Sequence, residues 1–240
     1  MWTNARYQPT ALFSLRASLA TSSGGRTLVC PTAFAIKMAL LDAACRTQGV
    51  GTAQLLWPVL RDLRIKVLLP PSLAVINTFT KIVRPKKHGP SDDTGTGLLT
   101  PLNQTIAYRE YVSFGGELAI AATTVRNEPV PPAIVALFVH ITSIGKRGSF
   151  MQLLDEPHLT AEPLESDGWT TITDQPEAFA IDGLLQLLDD CGPKMTFAQA
   201  DIYSTKRITL GKERLLRQIV LPYRQTRSGR SFTLYERLNA

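Results

Sequence analysis

The chain has 240 residues, 44% hydrophobic and 19% charged, with 26 Lys and Arg against 20 Asp and Glu for a formal charge of +6. That length allows one large domain or two small ones with a real core. The apolar content excludes a disordered chain, three cysteines exclude a disulfide scaffold, and no apolar run reaches the roughly 18 residues of a spanning helix.

The best apolar run, Ile134 to Ile141, is interrupted by His140. Ala11–Leu15, closed by Arg16, is too short to read as a signal peptide. Cys30, Cys45 and Cys191 are scattered, which predicts a reducing cytoplasm and no metal or other cofactor. Charge is distributed unevenly. Residues 1–70 hold 8 basic and 2 acidic side chains, 71–150 hold 8 and 5, 151–200 hold 1 and 10, and 201–240 hold 9 and 3. Basic blocks around an acidic one suggest a polyanion-binding face, or a merely solvated surface.

In chain order, residues 11–19 alternate Phe13, Leu15 and Ala17 with Ser14, Arg16 and Ser18, which predicts a half-buried strand. Ser22, Ser23, Gly24 and Gly25 predict a loop. Pro31 or Thr32 opens a helix that ends before Gly49, with Phe34, Met38, Leu41 and Cys45 as its apolar stripe. A shorter helix over 53–60 is broken or kinked at Pro58. Two strand-like runs follow at 64–69 and 74–83, then a polar stretch, 85–105, that is a long loop or a protruding ribbon. Residues 107–123 read as two strands joined by a Gly115-Gly116 hairpin turn.

Pro131-Pro132 opens a helix carrying Ile134, Leu137, Phe138 and Ile141, with Gly145 as its left-handed C-cap and a short strand at 149–154. The acidic segment predicts a loop and then a helix over 177–190. A strand near 201–208 precedes a hairpin of 217–226 and 230–238 that turns near Ser228-Gly229. The expected fold is α+β: an RRM-like or ferredoxin-like domain over 1–155 with an insertion near 85–105, then a strand-rich portion over 156–240.

Three clusters could meet a polyanion. Gly145-Lys146-Arg147-Gly148 sets two cations between glycines that let backbone N–H groups approach a phosphate, or it is a helix cap and a solvated turn. Arg84, Lys86, Lys87 and His88 stand at the ribbon base and could track a nucleic-acid backbone, or form an ordinary charged loop. Arg217, Arg224, Arg227 and Arg230 interleave with Tyr223, Phe232 and Tyr235, a mixture that suits stacked single-stranded RNA or a strand pair with one buried aromatic face. Catalytic candidates are thin. His140 reads as a partly buried histidine, His158 has no assignable partner, and His88 beside Lys86 and Lys87 could serve as a general base on a ribose hydroxyl. The adjacent pairs Asp92-Asp93 and Asp189-Asp190 diverge on a strand or a helix, a poor arrangement for one metal.

The Ser/Gly-rich loop leading to CPTAFAIKMALLDAA (30–44), the segment YREYVSF (108–114) and IGKRGSF (144–150) together resemble the CRISPR-associated protein 5 family over about residues 10–155. That family consists of RAMP-superfamily subunits of the type I Cascade complex. The resemblance implies an RRM-like domain with a β-hairpin thumb, here at 85–105. It implies a subunit that caps the 5′ handle of crRNA and contacts the backbone and large subunits. Target DNA would be met through the complex, with no membrane role. Gly145, Lys146, Arg147 and Gly148 would be the glycine-rich loop near RNA, and Arg109 would lie in the Arg-Glu-Tyr-like strand, RNA-facing or structural. Most of the family is non-catalytic. One subtype cleaves precursor crRNA without metal, so a metal-independent endoribonuclease is the alternative.

Overall fold

The computed structural model describes residues 1–18, 20, 24–85 and 102–238. The chain opens on β1 (Trp2–Pro9), in which Thr3, Ala5 and Tyr7 are buried while Arg6 points to solvent. That period-two pattern starts at Thr3, ahead of the alternation at 11–19 that predicted the first strand. Within the described residues, 11–18 form no strand of their own. They make single bridges, Phe13 to Val112 and Arg16 to Thr27. A short strand, β2 (Gly24–Gly25), follows.

α1 (Ala33–Gln48) begins where Thr32 Oγ1 accepts from the Ala35 N–H at 3.1 Å and ends at Gly49, as its cap residues predict. Its buried face is Ala33, Ile36, Lys37, Leu40, Ala43 and Ala44. The expected stripe lies one position round the helix, and of it only Leu41 is buried. The core-facing side mixes alanines with Ile36 and Leu40, and Phe34, Met38 and Cys45 are half-buried at its border. α2 (Val50–Arg61) runs through Pro58 rather than breaking there.

β3 (Arg64–Leu68), β4 (Ser72–Pro85), β5 (Leu102–Phe114) and β6 (Leu118–Thr123) form one ribbon. Pairing keeps a single register from Arg64 with Thr123 to Pro85 with Leu102. The ribbon is cut in the middle, so its two halves lie in different sheets. Gly115-Gly116 is therefore not a hairpin turn. It crosses beside Pro70-Pro71-Ser72, where a Cβ on Gly115 would stand 2.2 Å from Ser72 Oγ and Gly116 adopts φ +148. The prolines carry no N–H for the ladder, which is why pairing stops there. The ribbon tip expected at 85–105 falls largely outside the described residues. Within them the strands reach Pro85 and resume at Leu102.

α3 (Pro132–Val139) buries Ile134, Leu137 and Phe138 as expected but ends at a cap on His140, five residues before Gly145. His140 is exposed, not partly buried. β7 (Met151–Leu153), β8 (His158–Thr160) and β9 (Trp169–Thr171) then join the first sheet, whose order is β7-β1-β6-β3-β9 with β8 also on β1. β10 (Leu184–Cys191) is a strand where a helix was expected. Gly183 at φ +146 turns the chain into it, and pairing with β11 and packing on α1 override the helix preference of its leucines. α4 (Phe197–Ala200) is followed by turns rather than a strand at 201–208. There Asp201 Oδ1 accepts from the Tyr203 N–H at 2.9 Å. The expected C-terminal run splits at Pro222. β11 (Arg214–Leu221) pairs with β10, while β12 (Tyr223–Ser228) and β13 (Phe232–Arg237) form the predicted hairpin. The second sheet has the order β12-β13-β4-β5-β2.

The result is an α+β fold with mainly antiparallel sheets, and strands from both sides of residue 155 share both larger sheets. One face of the first sheet (Ala5, Tyr7, Ile65, Val67, Ile120, Ala122) shares its core with Ile36, Leu40, Trp57, Leu60, Leu137 and Phe138 of the helices. Each large side chain buried there contributes roughly 1.5–3 kcal/mol. Tyr7 OH closes the layer by donating to Phe138 O at 2.8 Å.

Candidate nucleic-acid interface

The glycine loop after α3 is pinned at its base. Lys146 N–H donates to Ser14 O at 3.2 Å, Ser14 N–H to Ser149 Oγ at 3.1 Å, and Ser149 N–H to Lys146 O at 3.0 Å. Gly145 (φ +87) seats against Leu15 and Phe13, and Gly148 (φ +96) closes the turn. Both sit in the left-handed region that disfavours a side chain. The amides of Ile144, Lys146 and Ser149 are consumed by these internal bonds. What the loop offers outward is therefore the charge of exposed Lys146 and Arg147 more than an amide cradle. Lys146 Nζ lies 5.6 Å from the ring centroid of Tyr111 on β5.

Strand register sorts the other candidates. Successive residues alternate faces, so Arg109 and Tyr111 of β5, Ile76 and Thr78 of β4, Phe232 of β13 and Arg227 of β12 share one face of the second sheet. Arg109 is half-buried. Its guanidinium donates to Tyr108 O at 3.1 Å and packs on Gly25, where a Cβ would stand 2.7 Å from Nη1. Arg227 lies over the Phe232 ring, with 5.8 Å from Cζ to the centroid. Arg224 is on this face too, but it is tied to Asp182 at 2.7 Å. Arg230 occupies the β12–β13 turn and is exposed. The structure thus gathers Lys146, Arg109 and Arg227 around one surface. Arg84 is placed apart, near the far end of β4, where its backbone pairs with Asn103. Lys86, Lys87 and His88 lie outside the described residues.

Sequence reasoning missed what the acidic segment does. Of the ten acidic residues in 151–200, six pair with the chain's own cations: Asp155 with Arg6, Glu162 with Lys66, Asp174 with Arg64, Asp182 with Arg224, Asp189 with Arg214, and Asp190 with Lys37 and Arg217. The Asp189-Asp190 pair, read as a poor metal site, is buried in ion pairs with α1 and β11. The signal for Lys37 was present but ambiguous: a cation at 37 falls between Ile36 and Leu40 on the buried face of α1. Lys146, Arg147, Arg109, Arg227 and Arg230 have no ion pair among the described residues. The internal pairs also set proton affinities. The hydrogen bond from Arg6 holds the Asp155 carboxyl below the usual carboxylate range, and that from Lys66 does the same to Glu162. Burial pushes the Cys191 thiol up to about 12, which keeps it protonated and a poor nucleophile. Among the described residues no three His, Cys, Asp or Glu side chains are grouped to hold a metal.

No family model matches the chain, and no curated protein matches it. Among solved structures, a chain described as a CRISPR RNA-guided surveillance complex is similar at a TM-score of 0.47 and 14% identity, over 91% of this chain and 88% of that one. A crystal structure of a CRISPR protein from Archaeoglobus fulgidus is similar at 0.46 and 12%, over 98% and 92%. Scores below 0.5 at such identity establish neither a shared fold nor a shared function.

Proposed function

We propose that the chain is a non-catalytic RNA-binding subunit of a type I CRISPR effector complex, capping the 5′ handle of crRNA as the CRISPR-associated protein 5 family does and touching the backbone and large subunits. The observation that carries this reading is the division of charge. Internal pairing consumes most of the acidic segment, and the cations it leaves without an ion pair among the described residues include Lys146 and Arg147 of the glycine loop and Arg109, Arg227 and Arg230 of the second sheet. Lys and Arg without ion pairs beside the half-buried rings of Tyr111 and Phe232 suit a phosphate backbone and unstacked bases. In the same reading the β7-β1-β6-β3 order, with α1 and α3 on one face, is the RRM-like domain, and the β4–β5 ribbon is the thumb. Purifying the tagged chain from cells carrying a CRISPR array tests this. The account expects short RNAs that share one repeat-derived 5′ end, and precursor RNA left uncut by the pure chain in EDTA. Bound RNA without a common 5′ end would contradict the capping role, and metal-independent cleavage would contradict the non-catalytic one.

A further inference from the structure

Phe232 of β13 pairs with Ile76 of β4, and Ile76 pairs with Tyr111 of β5. These three residues form one lateral row across three strands. With neighbouring strands about 4.8 Å apart, the two rings stand about 10 Å from each other, with the isoleucine between them. Each ring carries a cation, Arg227 on Phe232 and Lys146 on Tyr111. The row above adds Thr78 and Arg109 and the row below Ala74, Leu234 and Ser113. None of these residues is fully buried, and Ile76, Tyr111, Phe232 and Leu234 stand outside the hydrophobic core. Among the described residues Glu236 is the one acid that the strands place on this face, and Asp182 reaches it through Arg224.

We infer that this face is a two-base stacking platform for single-stranded RNA, with Tyr111 and Phe232 as its stacking rings. The inference rests on the proposed RNA-binding function and places the contact on the second sheet, not on the first sheet that carries the helices. An aromatic ring takes a base of any identity, and a planar guanidinium held over a ring can stack on a base with its other side. Rings about 10 Å apart accept two bases that are unstacked from each other. Cations at both ends of the row lie where a strand crossing the sheet would carry its phosphates. A purely apolar protein partner would give no reason for a cation on each ring.

The test uses the full-length chain and a fluorescein-labelled single-stranded RNA octamer of mixed sequence, followed by anisotropy, beside the same octamer with two central abasic sites. Tyr111→Leu and Phe232→Leu should each weaken binding about tenfold and the double variant about a hundredfold, from the worth of one base–aromatic stack apiece. Tyr111→Phe, which keeps the ring, should bind as wild type does. Abasic sites should weaken binding to the wild type and leave the double variant indifferent. A double variant that binds the intact octamer as tightly as wild type overturns the platform while leaving the RNA-binding role standing. A wild type indifferent to base removal overturns it equally. A wild-type chain that binds no RNA at any salt concentration takes both readings down.

Discussion

Replacing Lys37 tests how the C-terminal strands are held on the N-terminal helix. Lys37 Nζ donates to Asp190 Oδ1 at 2.6 Å, with side-chain exposures of only 2% and 4%. Lys37→Met keeps the apolar stem and removes the charge. Asp190 is then left buried, with the Cys191 N–H at 2.7 Å and Arg217 at 3.7 Å as its remaining partners. Breaking a buried pair from one side typically costs 3–5 kcal/mol, and the two surviving contacts put this site at the low end, about 3 kcal/mol. For a chain of this size that corresponds to a fall in Tm of roughly 6–12 °C. Urea unfolding followed by circular dichroism would measure it. Pairing Lys37→Met with Asp190→Leu should recover more than half of the loss, because the uncompensated charge is gone. A Lys37→Met variant within about 1 kcal/mol of wild type would refute the reasoning, since it would mean that Asp190 is solvated or neutral in the folded chain.

Other outcomes follow from the same geometry. Gly192→Ala would set a Cβ 1.8 Å from the backbone oxygen of Lys212, so the β10–β11 ladder must shift; this variant should lose at least about 2 kcal/mol in thermal unfolding, and wild-type stability would contradict it. Asp155 and Glu162 are depressed in the folded chain, so the native state binds fewer protons than the unfolded chain in mild acid. Their contribution is present above the ordinary carboxylate range near 4 and is lost as pH falls through the depressed folded values. Carboxyl NMR titration should show both below that range, with Arg6→Ala returning Asp155 to it; an Asp155 titration unmoved by Arg6→Ala would refute the pairing. Gly148→Ala meets no atom but forces a side chain into φ +96, so it should cost about 1 kcal/mol through backbone strain alone and leave the fold intact by circular dichroism.

Much of the fold was legible where local signals act alone. Thr32 and Gly49 bound α1, Pro131-Pro132 opens α3, and Ser228-Gly229 marks the last hairpin, because caps and turns are decided by a few neighbouring residues. The failures share a cause in tertiary context. Residues 177–190 carry helix formers, yet 184–191 become a strand because β11 supplies a ladder partner. Gly115-Gly116 looks like a hairpin turn but serves as the crossing of a long ribbon, a role visible only once Pro70-Pro71 is known to lie beside it. At the candidate site, Lys146 and Arg147 were legible from their glycines, and Arg227 from its aromatic neighbours. Tyr111 and Ile76 were not, since only the pairing of β4 with β5 and β13 sets them beside Phe232. The acidic segment misled because net charge carries no information about which carboxylates are already paired.

The central claim, that the unpaired cations of the glycine loop face RNA, is tested most directly by the salt dependence of RNA binding in wild type and in the Lys146→Glu, Arg147→Glu double variant. A single strand gives a log–log slope near −0.7 per neutralised phosphate. If both side chains engage phosphates, the variant should bind more weakly at every salt concentration, with a slope shallower by at least about 1.4. A variant with the affinity and slope of wild type would contradict the account.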